Sequence, residues 1–306
     1  MMKYWERMEQ GGPKNFKYEE LSPAFFVPAA GGIALHYLVA MQEDLKLIDV
    51  IIELVDARVP LSSKNPDIDQ LANGKSRIIL MNKYDLADPA ITEKWIHYYE
   101  EKGYYVTKVN SKNGNGVKAV HGVIQEACKA KIERDRRRGI LNRPIRAMIV
   151  GIPNVGKSTF INSFAKKACA KTGNKPGVTK GKQWIRLNKN VELLDPPGIL
   201  WPKFEDQTVG LRLAFIGSIK DDLFNIYELS VLLLDYLTQN YPNAVSDFYQ
   251  IDREEESAQL LEKIAVRRGY MKTGGVYDVD KAGKCLVDDF RAGKLGKISL
   301  EEPQEN

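Results

Sequence analysis

The stretch GIPNVGKS, residues 151–158, constrains this chain more than any other. It follows an apolar run, IRAMIV, and leads into a helical pattern, so it fits G-x-x-x-x-G-K-S in the context that this pattern needs. Gly151 and Gly156 let the backbone curl so that its N–H groups turn inward around phosphate oxygens. The positive end of the following helix adds to that field. Lys157 then reaches the β- and γ-phosphates and Ser158 is placed to ligate Mg²⁺. Asn154, Val155 and Thr159 complete the cradle. Such a loop joins a strand to a helix, and so asks for an α/β fold.

The rest of the chain supplies that fold. Residues 50–55, 77–82 and 104–110 are short runs rich in β-branched residues, as in buried parallel strands. Helical patterns lie at 33–47, 88–102 and 117–137. QWIRL and VELLD read as two further strands. Strands alternating with helices predict a mostly parallel sheet with helices on both faces. Beyond it the helical pattern dominates to the end. Val279, Ala282, Leu286 and Phe290 share one helical face, as do Leu261, Ile264 and Ala265. The expected organisation is an irregular lead-in over 1–32, an α/β domain over 33–210, and a small all-α domain over 211–306.

A strand ends at Asp195, and Gly198 follows in DPPG. Alone, D-x-x-G is an ordinary turn. At a strand end after a phosphate loop, Asp195 is placed to hold Mg²⁺ and Gly198 leaves a backbone N–H room to approach the γ-phosphate. Between the two, Thr179 is the candidate switch threonine for Mg²⁺ and γ-phosphate. NKYD selects the base. The Asp85 carboxylate accepts two hydrogen bonds, matching the N1–H and N2–H₂ edge of guanine, whereas adenine has no such donor pair. An unpaired, desolvated Asp85 costs about 1–3 kcal/mol or more, enough for strong discrimination. Asn82 faces the N7 side and the Lys83 stem covers the base. Asn110-Ser111-Lys112, after the next strand, fits an accessory loop that donates backbone N–H to the guanine O6.

These elements run in an inverted order: base loop, accessory loop, phosphate loop, switch threonine, DxxG. Their chemistry needs contact in space and not succession in the chain. Joining old termini and opening the chain elsewhere keeps every contact. The sequence therefore predicts a circularly permuted nucleotide domain, with the basic stretch 134–144 joining the old ends.

At this point the chain resembles the circularly permuted GTPases of the ribosome-biogenesis type, the YlqF/RbgA group. DLKLIDVIIELVDARVPLSSKNP, NKYDL, GIPNVGKST, PGVTKG and DPPGILWPKFED carry the resemblance. It implies a P-loop GTPase, converting GTP to GDP and phosphate, that drives a late step of large (50S) ribosomal subunit assembly. A GTP-dependent RNA-binding scaffold with little intrinsic hydrolysis is the alternative. Many GTPases place a water-orienting Gln just after DxxG, but this chain has Ile199 there. The family implicates a Gly-His pair near the N-terminus. FFVPAAGGIALHYL holds no such pair, and His36 is out of register with it. Asn154 resembles the asparagine of potassium-activated GTPases, where K⁺ offsets charge developing between the β- and γ-phosphates. The expected catalytic set is thus Asn154, Lys157, Thr179 and Gly198.

The chain's 306 residues are 43% hydrophobic and 28% charged, an ordinary globular balance, and its net charge of +5 allows a nucleic-acid partner. The excess is unevenly spread. Lys166, Lys167, Lys171, Lys175, Lys180 and Lys182 crowd the segment after the phosphate loop. Lys263, Arg267, Arg268 and Lys272 gather near Tyr270, a pattern suited to contact with rRNA phosphates. Cys128, Cys169 and Cys285 lack metal-ligand spacing and read as reduced thiols of a cytoplasmic protein. No apolar run approaches the roughly 18 residues of a spanning helix. The free chain is expected to be a monomer. A kinase would need a catalytic acid and an acceptor pocket, and would leave NKYD unexplained.

Overall fold

A computed structural model describes residues 43–72, 74–141, 143–166, 183–187, 189–196, 206–252 and 256–304. The described strands are β1 (Val50–Asp56), β2 (Ser76–Asn82), β3 (Tyr105–Val109), β4 (Ile145–Val150), β5 (Gln183–Arg186) and β6 (Val191–Asp195). They form one sheet in the order β3-β2-β1-β4-β6-β5. All pairs are parallel except β5 with β6. That exception follows from length: residues 187–190 join the two strands, far short of the dozen or so that a parallel crossover needs. Because the other five run the same way, the loops after β1, β2, β3, β4 and β6 open at one end of the sheet.

Every residue of β1 is buried, as a central strand covered on both faces requires. On one face, Val55, Ile79 and Met81 pack with Trp95 and Tyr99 of α2 (Pro89–Glu101). Each such aromatic contributes about 2–3 kcal/mol by leaving water. Farther along that face, Ile51, Met148 and Leu194 meet Ile68 of α1 (Pro66–Leu71). The alternate residues Ile52, Leu54, Ile78 and Leu80 point the other way and are as deeply buried. There α3 (Val120–Ala127) packs on β2 and β3. Local signals start the helices. Asn65 Oδ1 accepts from Asp67 N, and Asp88 Oδ1 from Ala90 N and Ile91 N, each just before a proline at the first helical position.

The expected helix over 117–137 is broken at Cys128, which separates α3 from α4 (Lys129–Arg137). There Ser76 Oγ donates to the Ala127 carbonyl at 2.6 Å, an intrusion of the kind that interrupts a helical ladder. Of the expected helix over 33–47, residues 33–42 lie outside the described residues.

The chain divides into two compact units. One holds the sheet. The other, over 206–296, is helical: α6 (Gln207–Phe215), α7 (Ile226–Asn240), α8 (Pro242–Tyr249), α9 (Ser257–Arg268) and α10 (Val279–Arg291). α7 is its spine and contacts the other four. Gly283 of α10 lets that helix approach α7, since a Cβ there would lie 2.4 Å from Ser230 Oγ. Buried Asp289 accepts from Tyr249 Oη and Lys294 Nζ, at 2.8 and 2.7 Å. Two boundaries differ from the expected ones. Residues 206–210 belong to the helical unit, because Asp206 caps α6 by accepting from Thr208 N. Residues 297–304 are not helical and lie with the sheet unit, held there by their backbone groups.

Candidate nucleotide-binding site

The loops that carry NKYD, NSK and GIPNVGKS emerge side by side, since β2 lies between β3 and β1, and β1 pairs with β4. The base loop and the phosphate loop are in direct contact. Asn82 Nδ2 donates to Val155 O at 2.7 Å, and Lys83 Nζ donates to Asn154 O at 2.9 Å. Asn82 also serves the accessory loop: its Oδ1 accepts from Ser111 N at 3.1 Å and from Ser111 Oγ at 2.8 Å. Asn110 shapes that loop from within, its Oδ1 accepting from Lys112 N and Asn113 N. One asparagine thus joins three loops drawn from separate parts of the chain.

Backbone geometry at the phosphate loop fits its role. Asn154 (φ 61°) and Gly156 (φ 98°) both lie in the left-handed region, which turns successive N–H groups toward one side. A Cβ on Gly156 would sit 2.5 Å from Asn82 Nδ2. The residue is therefore fixed by its dihedral and by the neighbour that the base loop supplies. Lys157, Ser158 and Thr159 form the first turn of α5 (Lys157–Ala165). Phe160, Ile161 and Phe164 anchor that helix in the core.

Lys157 is buried, and its Nζ lies 2.7 Å from Asp195 Oδ1 at the end of β6. It also donates to Pro196 O. Burial lowers its pKa, and the Asp195 charge partly offsets that. The phosphate lysine and the candidate Mg²⁺ carboxylate are thus adjacent. Ser158 and Asp195 fit Mg²⁺, which takes one or two protein oxygens and completes its shell with phosphate and water. Among the described residues no three His, Cys, Asp or Glu side chains gather as an all-protein metal cage.

Asp85 is exposed, in the short turn 84–86 that opens on Lys83 (φ 58°). Below it lies a feature that sequence reasoning did not assign. Asp56, fully buried at the end of β1, accepts from Lys83 Nζ at 2.8 Å and from Arg58 Nε and Nη2 at 2.9 Å each. Burial opposes ionisation of Asp56, yet Arg58 and Lys83 hold its carboxyl far below the usual carboxylate range. Burial also lowers the pKa of Lys83, against the pull of Asp56. The signal was DAR at a strand end: an acid and a base two residues apart where an apolar run stops.

Thr179, Gly198, Ile199 and His36 lie outside the described residues, as do Lys167, Lys171, Lys175, Lys180 and Lys182. The cations of the helical unit are in view. Lys263 pairs with Asp252 at 3.7 Å, Arg268 with Asp289 at 3.3 Å, and Lys272 with Asp280 at 2.7 Å. That surface is less purely cationic than its sequence suggests. No described helix is long and apolar enough to cross a membrane.

Residues 146–265 match a family described as 50S ribosome-binding GTPase. Ribosome biogenesis GTPase A of Bacillus cereus is 48% identical over 86% of this chain and 89% of its own length. The Thermotoga maritima protein of the same name is 29% identical over 85% and 88%. A GNP-bound YlqF structure from T. maritima covers 88% of this chain and 98% of its own, with TM-score 0.59 and 26% identity. A GDP-bound YlqF structure covers 87% and 100%, with TM-score 0.61 and 26% identity. This agreement along nearly the full length of the relatives, with the permuted order of the loops, means that the chain belongs to the ribosome biogenesis GTPase A family.

Proposed function

We propose that this chain binds GTP across the end of its sheet, hydrolyses it to GDP and phosphate, and uses that cycle at a late step of large ribosomal subunit assembly. The observation that carries the reading is the contact between loops. Asn82 and Lys83 hydrogen-bond the backbone of Val155 and Asn154, which brings the base-selecting loop against the phosphate cradle as one ligand requires. Asp85 selects guanine, and Asn110 and Ser111 support the accessory loop. Val155, Gly156, Lys157, Ser158 and Thr159 hold the phosphates. Thr179 and Gly198 sense the γ-phosphate.

Lys157 and Asp195 neutralise each other where phosphate would lie. On binding, the ammonium turns to the β- and γ-oxygens, which carry more charge than one carboxylate. Ser158, Thr179 and Asp195 would hold Mg²⁺, which would supply positive charge to offset the charge of the phosphates. Lys157 sits in a site from which water is largely excluded, so its positive charge acts on the transition state with little screening. Asn154, held at positive φ, is the proposed K⁺ ligand. With Ile199 in place of a water-orienting glutamine, the attacking water needs help from outside this set.

That help is assigned to the large-subunit precursor, contacted through rRNA by basic surfaces of the chain. Single-turnover GTP hydrolysis measures it. The expected result is slow turnover by the free protein, a large acceleration with large ribosomal subunits, and faster turnover in KCl than in NaCl at equal ionic strength. Subunit binding without acceleration would favour the scaffold reading. Equal rates in the two salts would remove K⁺ from the site.

A further inference from the structure

After Gly296 the chain leaves the helical unit, and residues 297–304 lie along the sheet unit beside the base loop. Ile298 N donates to Leu86 O at 2.9 Å, and Leu300 N to Arg58 O at 2.8 Å. Ser299 Oγ accepts from Asp88 N at 3.1 Å, and Glu301 O accepts from Trp95 Nε1 at 3.1 Å. The Glu301 carboxylate closes the loop after β1: Oε1 accepts from Ser62 N at 2.9 Å and from Leu61 N, and Oε2 accepts from Ser62 Oγ. Ile298, Ser299, Leu300 and Glu301 are all buried.

This segment meets the base loop by two routes. Leu86 follows Asp85 directly and Asp88 stands two residues further on, so the backbone that aims the carboxylate is tied down close by. Arg58, whose carbonyl the segment takes, holds Asp56 with its side chain, and Asp56 holds Lys83. Neither route includes Lys157, Ser158 or Asp195, and the second meets the phosphate loop only where Lys83 Nζ donates to the Asn154 carbonyl. Buried backbone groups need partners, so without the segment Leu86 O, Arg58 O, Asp88 N and Ser62 N would have to find others.

We propose that residues 297–304 are a strap that sets the guanine-recognition loop, with Glu301 and Arg58 as positioning residues for guanine affinity. The inference rests on the guanine-nucleotide reading of the site. It separates two properties. The strap governs how firmly the base is held, while the chemistry at the γ-phosphate is assigned chiefly to Lys157, Ser158 and Asp195, none of which is among the groups that the strap holds. A loosened Asp85 also loses its ability to tell guanine from hypoxanthine, which lacks the 2-amino donor.

The test uses the full chain with Glu301→Ala, Ser299→Ala and the conservative Glu301→Gln, and GDP and IDP as probes. For Glu301→Ala the expectation is about tenfold weaker GDP binding, the scale of loss when a charged acceptor is removed from three hydrogen bonds. The GDP-over-IDP preference narrows, and single-turnover hydrolysis at saturating GTP is unchanged. Ser299→Ala gives a smaller loss of the same kind, and Glu301→Gln lies between wild type and Glu301→Ala. General destabilisation would weaken GDP and IDP alike, so equal losses overturn the strap. So do unchanged affinities in variants beside a guanine-selective wild type. A wild-type protein that binds ADP as tightly as GDP overturns the guanine assignment itself.

Discussion

Gly156 carries two constraints at once. Its φ of 98° excludes most side chains, and Asn82 Nδ2 occupies the space that a Cβ would need. Gly156→Ala is expected to cost about 1–3 kcal/mol of stability through backbone strain. It should also push Asn82 from Val155 O, so that GDP affinity falls more than the thermal shift alone explains. Calorimetric binding beside thermal unfolding checks both. The glycine was legible in the sequence because G-x-x-x-x-G-K-S names it. Its neighbour was not, since the motif says nothing of what lies behind it. Asp56 was missed for a related reason. A carboxylate that never meets ligand leaves no ligand-binding pattern, and its partners Arg58 and Lys83 come from two strand ends that only the folded sheet aligns.

At the scale of elements, strands were easier to read than their ends and directions. β1, β2 and β4 are apolar runs buried along most of their length, and such runs announce themselves. The break at Cys128 depends on a serine hydroxyl from β2, which no local pattern contains. Two helices of the second unit followed from spacing: Leu261, Ile264 and Ala265 are buried in α9, and Ala282, Leu286 and Phe290 on one face of α10. The closeness of α10 to α7 did not, because it depends on Gly283 meeting Ser230. Gly283→Ala places a methyl against the Ser230 side chain and is expected to destabilise the helical unit by about 1–3 kcal/mol, the usual cost of overpacking. Adding Ser230→Gly should recover part of it, an interaction energy that marks the two positions as touching. Hydrogen exchange of α7 and α10 amides reads the effect within that unit. Unchanged exchange in Gly283→Ala would contradict the packing.

For the whole molecule, the permuted order has a physical consequence. In a sheet whose parallel strands all open loops at one end, the site depends on which strands are neighbours and not on where the chain is cut. β2 lies beside β1, and β1 beside β4, so NKYD and the phosphate loop meet although the first precedes the second by several elements. The cut places the DxxG segment just before the helical unit and leaves that unit's far end free to return as the strap. The central claim is that Asp85 and Lys157 hold opposite ends of one guanine nucleotide. Competition calorimetry tests it most directly, titrating GTP into the protein in the absence and presence of excess ATP. The account predicts one GTP per chain, bound with an affinity that ATP leaves unchanged. Displacement of GTP by an equal concentration of ATP would contradict it.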